Sequence, residues 1–432
     1  MTPAARIAAA IELLTAIAAA PRQPADAVAN DFFRARRYIG SGDRRAVSAR
    51  AWAVLRAPRR LAWWLARVRL PDMPRHLVAA SLLLQDGWNL GGLAQSFSGG
   101  RFAPAALDDG ERRGFKALET HTLDHPEMPD AVRLEMPDWL LPHLQARFGD
   151  ALAAEMAALG EPAPLDLRTN LLKTTREDAR AALAAEKYDA EPTKLSPWGL
   201  RIGFRAPLTT GPAFQSGLVE IQDEGSQLLA ALVGAQPGMR IADWCAGAGG
   251  KTLALAMMMQ NRGYLAVCDV SAKRLESATR RLRRAGVSNA ERHLIERGDR
   301  WAKRRAGTFD RVLVDAPCTG TGTWRRNPDA RQRLAERDLA ELLPRQAAIL
   351  DAASVLVRTG GRLVYGTCSL LPEENEAQVS GFLSRHPAFA VLPLAEAWTL
   401  PTPPPCPGPF LSLTPRAHGT DGFFGAVLER RA

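Results

Sequence analysis

The amino-acid sequence predicts an α/β fold: a doubly wound, mainly parallel sheet that follows an all-helical region and a small α+β subdomain. Short apolar runs alternate with helical stretches over residues 218–432, which is typical of a parallel sheet with right-handed connections. Several of these runs end in an acid or a cysteine, and ligands of such sheets bind at the carboxyl ends of the strands. Residues 1–147, in contrast, show helical periodicity and few strand signals.

The predicted helical domain, residues 1–147, is rich in arginine. Apolar residues such as Val54, Leu61 and Leu65 recur at helical spacing, and they leave the arginines of residues 31–69 for the opposite faces. The whole chain carries a formal net charge of +10. Because arginine can bind a phosphate group with two hydrogen bonds, the pattern favours a nucleic acid as partner, although an ordinary solvated helix face has the same composition.

Two further regions follow the helical domain. Residues 148–217 predict a small α+β subdomain, with strands at residues 165–171 and 200–204 and a helix at residues 176–186. The predicted strands of the parallel sheet are residues 240–244, 264–269, 292–295, 309–315 and 361–367. Residues 422–429 predict a final, antiparallel strand.

Two cysteines and an acid follow two of these predicted strands. Asp315 and Cys318 come at and after the strand of residues 309–315, and Cys368 comes directly after the strand of residues 361–367. A free cysteine often serves only as a small buried hydrophobic residue. Two cysteines that both follow strand ends, each flanked by turn residues, favour instead a pair of thiols at one edge of the sheet.

The loop of residues 243–252 reads D-W-C-A-G-A-G-G-K-T and joins the first strand of the sheet to a helix. Three kinds of cofactor could bind such a loop: a nucleoside triphosphate, a dinucleotide and S-adenosylmethionine. Lys251 and Thr252 fit the end of a phosphate-binding P-loop, but Cys245 stands where that motif needs glycine. The glycine pattern of a dinucleotide-binding fold lacks its third glycine here.

S-adenosylmethionine explains more residues than either rival. Asp269 ends the second strand and can accept hydrogen bonds from ribose hydroxyls, and Asp299 follows the third strand and can accept one from the adenine amino group. Each acid alone could equally be a helix cap or a solvated loop residue. The residues that this interpretation assigns to the cofactor are Cys245, Ala246, Gly247, Ala248, Gly249, Gly250, Lys251, Asp269, Asp299 and Asp315.

Cysteine usage and hydropathy restrict the remaining classes of protein. The five cysteines contain no C-x-x-C pair and no cysteine–histidine cluster at zinc spacing, which argues against a disulfide framework and a metal site and favours the reducing cytoplasm. No apolar run is long enough to span a bilayer, so no membrane partner is expected. Glu12 interrupts the apolar run near the start, which disfavours a signal peptide.

The motifs of the second half of the chain together resemble the RsmB/NOL/NOP family of RNA cytosine-5 methyltransferases. They are the loop of residues 243–252, D-A-P-C-T-G-T-G at residues 315–322, Y-G-T-C-S at residues 365–369, E-E-N-E at residues 373–376 and G-T-D-G-F-F at residues 419–424. The basic helical region resembles the NusB-type RNA-binding domain of the bacterial members that act on 16S ribosomal RNA. The family usually has Ala-Pro where this chain has Gly247-Ala248, which predicts a less rigid loop.

The resemblance implies a class I, Rossmann-like methyltransferase fold, S-adenosylmethionine as the methyl donor and RNA as the substrate. Cys368 would be the nucleophile that adds to the cytosine, and Cys318 would assist release of the product. Asp315 would hold the base, and Lys251 would orient it and stabilise the thiolate. Ribosomal RNA is the favoured substrate, tRNA is the alternative, and a cytoplasmic monomer is expected.

Two other classes stay open at this point. A magnesium-dependent nucleotide hydrolase would use Lys251 and Thr252 for phosphate and Asp315 for the metal. A ribosome assembly factor that binds RNA on the same fold, without catalysis, would need neither Cys318 nor Cys368. Methyl transfer to RNA would support the methyltransferase, magnesium-dependent nucleotide turnover would support the hydrolase, and RNA binding with neither activity would support the assembly factor.

Overall fold

Helices build the first of two units in this computed structural model, which describes residues 1–203 and 207–431. The first unit contains residues 1–160 and 324–336, and the second contains the rest of the described chain. The helices of residues 1–160 are α1 (Pro3–Ala19), α2 (Ala25–Ala35), α3 (Ser41–Arg56), α4 (Pro58–Arg67), α5 (Pro74–Leu84), α6 (Leu90–Ser96), α7 (Asp109–Leu118), α8 (Asp130–Arg133), α9 (Leu141–Phe148) and α10 (Leu152–Gly160). The helical region thus extends beyond residue 147 to Gly160.

The core of the first unit follows from the helical spacing of its apolar residues. Val54, Leu61 and Leu65 are buried, as their periodicity predicts. Arg37 and Arg45 are exposed. The unit therefore presents basic side chains to solvent around an apolar interior.

Two sheets and their helices build the second unit. The strands are β1 (Leu165–Thr169), β2 (Glu191–Pro192), β3 (Gly199–Ile202), β4 (Val219–Ile221), β5 (Arg240–Asp243), β6 (Tyr264–Asp269), β7 (Ala290–Leu294), β8 (Phe309–Asp315), β9 (Val357–Thr367), β10 (Phe389–Leu392), β11 (Leu411–Leu413) and β12 (Phe423–Arg430). The remaining helices, of which α17 belongs to the first unit, are α11 (Arg176–Ala185), α12 (Pro212–Gln215), α13 (Glu224–Ala231), α14 (Gly250–Met258), α15 (Ala272–Ala285), α16 (Trp301–Arg304), α17 (Ala330–Arg333), α18 (Glu336–Ser354), α19 (Glu376–Arg385), α20 (Leu394–Ala397) and α21 (Pro415–His418).

The smaller sheet confirms the α+β subdomain. Its strands are antiparallel in the order β2-β3-β1-β4, and Leu167 of β1 and Leu200 of β3 are buried together with Leu183 of α11. The sequence places residue 218 and those after it in the next region, but β4 pairs with β1 and so belongs to this sheet. A strand of three residues takes its place from the partner rather than from its own pattern. Phe204, at the end of the predicted strand of residues 200–204, lies outside the described residues.

The larger sheet has the strand order β10-β12-β9-β8-β5-β6-β7, with β11 paired to β12. The five strands β7, β6, β5, β8 and β9 are parallel, and β12 is antiparallel to β9. This arrangement confirms the predicted doubly wound sheet and its antiparallel final strand. From β5 the chain proceeds to β6 on one side and later to β8 on the other, so the crevice at the carboxyl ends of β5 and β8 is the expected ligand site.

Strand bounds agree with the sequence pattern where the strand is buried on both faces. The strands β6 and β8 have the predicted bounds, and their central residues are fully buried. The strands β10 and β11 are short and lie beside β12, and their sequences contain no buried run long enough to predict them. No described helix combines the length and the apolar character that a bilayer span requires.

Candidate active site

A cleft of about 660 Å³ opens at the carboxyl ends of the parallel strands, where the sequence predicts the ligand site. It receives Asp243 from β5, Asp269 from β6 and Asp315 from β8. The other residues that line it are Ile221, Gln222, Asp223, Ser226, Trp244, Cys245, Ala246, Gly247, Ala248, Gly250, Lys251, Val270, Arg274, Ile295, Pro317, Arg345, Ala348, Ile349 and Ala352. Most of the residues assigned to a cofactor from the sequence therefore share one cavity.

The loop between β5 and α14 is held open by its glycines and by Asp269. Gly247 has φ +54° and Gly249 has φ +83°, a left-handed region in which a side chain would be strained. Gly247 N–H donates to Asp269 Oδ2 at 2.8 Å, and Ser271 N–H donates to Asp269 Oδ1 at 2.7 Å. The carboxylate thus joins the loop to the start of α15 and forms part of the cleft wall.

Arg281 of α15 is a contact of this loop that sequence reasoning missed. Its Nη1 donates to the carbonyl oxygen of Ala248 at 2.8 Å, and its Nη2 lies 3.3 Å from Glu220 Oε1. Nothing in the local sequence distinguishes Arg281 from the other arginines of α15, because the contact joins residues far apart in the chain. The loop that lacks the family's proline is therefore restrained from outside.

Asp243 supplies the acceptor that a cationic ligand of the cleft would need. The side chain is fully buried, and its Oδ2 accepts a hydrogen bond from Thr252 Oγ1 at 2.6 Å. Its Oδ1 has no hydrogen-bond partner among the described residues. Burial raises the pKa of this carboxyl from 3.8 to about 7. A buried orphan oxygen beside a glycine loop fits the amino group of S-adenosylmethionine, and the neutral Cys245 thiol, whose pKa burial raises, fits its apolar parts.

Asp299 is not among the residues that line the cleft. Its Oδ1 accepts from the Trp301 N–H at 2.8 Å, and its Oδ2 bonds to His293 Nε2. Burial would raise the pKa of Asp299, but the hydrogen bonds from Trp301 and His293 lower it overall. The cleft is lined instead by Val270 and Ile295 after the neighbouring strands β6 and β7. The assignment of Asp299 to the adenine stays a prediction.

Lys251 and Asp315 form an ion pair on the wall of the cleft. Lys251 Nζ lies 2.6 Å from Asp315 Oδ2, and the lysine side chain is only 11% exposed. Burial by itself would lower the pKa of Lys251, but the Asp315 carboxylate and the charge of Cys368 outweigh it and raise the pKa overall. The lysine therefore stays charged and bonds to one oxygen of Asp315. In a P-loop, the lysine would instead extend toward the phosphates of a nucleotide.

The two predicted thiols meet. Cys318 Sγ lies 3.4 Å from Cys368 Sγ, because β8 and β9 are parallel neighbours and each cysteine follows the end of its strand. The hydrogen bond to Cys368, together with burial, raises the pKa of the Cys318 thiol well above its usual range. Cys318 therefore keeps its proton and can donate a hydrogen bond to the sulfur of Cys368.

A buried acid holds the Cys318 loop in place. Glu374 Oε1 accepts from the Thr319 N–H and from Gln346 Nε2, both at 2.9 Å, and Gln346 Nε2 also donates to the Pro317 carbonyl at 2.9 Å. The sequence includes Glu374 in a motif but gives it no role, and no local signal marks Gln346. Both act through the loop that carries Cys318.

The chain near its end closes over this loop. Gly422 N–H donates to the Gly322 carbonyl at 2.8 Å, and a Cβ on Gly322 would lie 2.3 Å from the Gly422 carbonyl oxygen. Gly322 N–H in turn donates to the Cys368 carbonyl at 2.9 Å. Only glycine permits this approach, which explains why residues 322 and 422 are glycines.

Comparisons with known proteins agree with this geometry. A family model described as 16S rRNA methyltransferase RsmB/F matches residues 230–429, and one for a ferredoxin-like domain of RsmF/B-like methyltransferases matches residues 136–209. The probable ribosomal RNA small subunit methyltransferase B of a Synechocystis species is 36% identical over 316 residues, which are 71% of this chain and 70% of that protein.

Solved structures extend the likeness to the fold. The crystal structure of PH0851 is similar with a TM-score of 0.79 and 25% identity, over 100% of this chain and 99% of that one. A methyltransferase homolog protein from Pyrococcus horikoshii is similar with a TM-score of 0.60 and 28% identity, over 71% of this chain and 100% of that one. Among the three cofactors considered from the sequence, these matches select S-adenosylmethionine. The chain therefore belongs to the RsmB/F family of S-adenosylmethionine-dependent 16S rRNA methyltransferases.

Proposed function

We propose that this protein methylates carbon 5 of a cytosine in 16S ribosomal RNA, and that Cys368 bonds covalently to the base during the reaction. The observation that carries the proposal is the pair of thiols 3.4 Å apart beside the Lys251–Asp315 ion pair. A protein that only binds RNA needs neither thiol nor a charged lysine beside them. The name of the Synechocystis relative, a ribosomal RNA small subunit methyltransferase, supports ribosomal RNA as the substrate over tRNA.

Carbon 5 of cytosine is a poor nucleophile, so the base must first be activated. The Cys368 thiolate forms a bond to carbon 6, and the electron pair of the carbon 5–carbon 6 double bond becomes available at carbon 5. S-adenosylmethionine held by the residues of the cleft would supply the methyl group that carbon 5 takes, and its sulfur would keep the bonding electrons. Water then removes the proton from carbon 5, the double bond re-forms, and the Cys368 sulfur leaves with its electron pair.

Cys318 serves the last step. Its thiol keeps its proton at neutral pH, because the pKa of Cys318 is raised by its hydrogen bond with Cys368 and by burial. Donation of that hydrogen bond stabilises the negative charge that returns to the Cys368 sulfur as the product is released. Without Cys318 the methylated base would stay attached to the protein.

Lys251 and Asp315 stabilise the charges that develop on the Cys368 sulfur and on the base. The Lys251 ammonium stabilises the Cys368 thiolate. The Asp315 carboxylate is the main group that raises the pKa of Lys251, and Cys368 contributes to the same shift. Asp315 Oδ2 is occupied by Lys251, so Oδ1 is the oxygen available to the ring nitrogen or amino edge of the base. Together they polarise the base toward attack at carbon 6.

Methyl transfer from labelled S-adenosylmethionine, measured with purified protein on 16S ribosomal RNA and on tRNA transcripts, tests the proposal. We expect label in 16S ribosomal RNA, located at one cytosine by bisulfite sequencing. Cys368→Ala should abolish the transfer, whereas Cys406→Ala, which removes a thiol bonded to the Phe410 carbonyl and the Ser412 N–H, should retain it. Full activity of Cys368→Ala would refute the covalent step, and RNA binding without any methyl transfer would support the assembly-factor alternative.

A further inference from the structure

An arginine-rich concavity lies on α15, and none of its lining residues lines the cofactor cleft. It is about 700 Å³ in volume. The residues that line it are Gln215, Ser277, Arg280, Arg281, Arg283 and Arg284. Four guanidinium groups thus surround one open depression in the second unit.

Two of these arginines are fixed by a single acid. Glu220 of β4 bonds to Arg281 through Oε1 and to Arg284 through Oε2, so both of its oxygens are used. Arg168 of β1 pairs in register with Glu220, and it is only 2% exposed. Its Nε and Nη1 have no hydrogen-bond partner among the described residues. One carboxylate therefore faces three guanidinium groups, and the charge behind the concavity is positive.

The other two arginines, Arg280 and Arg283, are exposed. Within the part of the chain that the structure describes, their guanidinium groups make no hydrogen bond, ion pair or ring contact. Like charges three and four residues apart on a helix repel one another. Glu220 does not relieve this repulsion, because both of its oxygens already bond to Arg281 and Arg284.

We propose that this face of α15 binds the phosphate backbone of the substrate RNA. That the bound polyanion is the substrate RNA rests on the proposed function. That an anion binds here at all is inferred from the unpaired arginines Arg280 and Arg283. Arginine binds phosphate bidentately, and a concave row of them matches successive phosphates. Arg281 also bonds to Ala248 of the cofactor loop, so RNA held here lies beside the loop that holds the methyl donor.

The double variant Arg280→Gln/Arg283→Gln tests the surface. Binding of an unmodified 16S ribosomal RNA transcript is measured without methyl donor, at several concentrations of KCl. We expect about tenfold weaker binding, and a plot of log affinity against log salt that is shallower by about 1.4, the change for two phosphate contacts of single-stranded RNA. The dissociation constant for S-adenosylmethionine, measured by titration calorimetry, should not change, because neither side chain lines the cofactor cleft. An unchanged constant shows that the variant is folded.

A matched control removes the same charge elsewhere. Lys303 and Arg431 are exposed, and neither lines the cofactor cleft or the concavity on α15. Lys303→Gln/Arg431→Gln should bind RNA with nearly the wild-type salt slope. The proposal is overturned if the α15 variant keeps the wild-type slope, or if the control loses as much. If the α15 variant has a shallower salt dependence but the wild-type protein methylates no RNA, the RNA-binding surface is supported and only the proposed methyltransferase function is rejected.

Discussion

At the scale of single residues, burial of Asp243 makes its charge depend on pH and on a cationic ligand. Its pKa is raised from 3.8 to about 7 by burial. The folded protein therefore binds a proton more tightly than the unfolded chain, and this contribution to stability is present below pH 4 and lost as the pH rises through 7. An ammonium group bound to Asp243 would lower the pKa of this carboxyl again, because it stabilises the ionised carboxylate.

The affinity for S-adenosylmethionine should consequently depend on pH. Below pH 7 the cofactor must displace a proton from Asp243, so we expect its dissociation constant to rise about fivefold between pH 7 and pH 6. Titration calorimetry from pH 5.5 to pH 8 measures this directly, with proton release in the acidic range. Asp243→Asn should bind weakly and without this pH dependence. Equal affinity of the wild type at pH 6 and pH 8 would show that Asp243 does not hold the cationic group.

At the scale of elements, the cofactor loop depends on the helix beside it. The loop has Ala248 where the family has proline, and Arg281 of α15 donates to its carbonyl oxygen at 2.8 Å. The restraint that proline gives through its fixed φ is here given by a hydrogen bond from a charged donor. Proline at position 248 and the hydrogen bond from Arg281 should therefore be able to replace one another as restraints on the loop.

Arg281→Met should therefore raise the KM for S-adenosylmethionine about tenfold, as the loss of a charged hydrogen bond worth about 1.5 kcal/mol predicts. Ala248→Pro in the same chain should restore most of the loss, because Ala248 N–H donates no hydrogen bond among the described residues. Lys273→Met, on the same helix but outside both the cleft and the arginine-rich concavity, is the control. Steady-state kinetics that show no change in KM for Arg281→Met, or no recovery with proline, would contradict this account.

The first unit contains a second long-range contact, at the start of α2. The residue before α2 is Pro24, which offers no side-chain cap, and Ala25 N–H donates instead to Asp329 Oδ2 at 3.0 Å. Residues 324–336, to which Asp329 belongs, pack within this helical unit with Trp324 fully buried. A residue more than three hundred positions away thus caps the helix.

Asp329→Ala should destabilise the beginning of α2 by about 1 kcal/mol, as the loss of an amino-terminal cap does. Amide hydrogen exchange of residues 25–29 should become about fivefold faster, since their protection reports local opening. Asp31→Ala is the control, because its ion pair with Arg34 is largely exposed and worth little. Unchanged exchange in Asp329→Ala would mean that α2 is held by packing alone.

At the scale of the whole molecule, the parallel sheet and the meeting of the two thiols could be predicted from the sequence. Strands buried on both faces give clear apolar runs, and two cysteines that follow parallel neighbours reach the same edge. The roles of Arg281, Gln346 and Asp329 could not be predicted, because each contact joins residues distant in the chain. The position of Asp299 outside the cleft lining depends on its local bonds to His293 and Trp301, which no strand pattern reveals.

The most direct test of the covalent mechanism uses the proximity of Cys318 and Cys368. Cys318→Ala leaves the nucleophile but removes the hydrogen bond that helps it depart, so RNA should remain attached to the protein. Expressed in cells and run on a denaturing gel, this variant should give a slowly migrating band that ribonuclease removes and that is absent from Cys318→Ala/Cys368→Ala. A band from Cys368→Ala alone would exchange the two roles, and the absence of a band from both single variants would contradict the covalent mechanism.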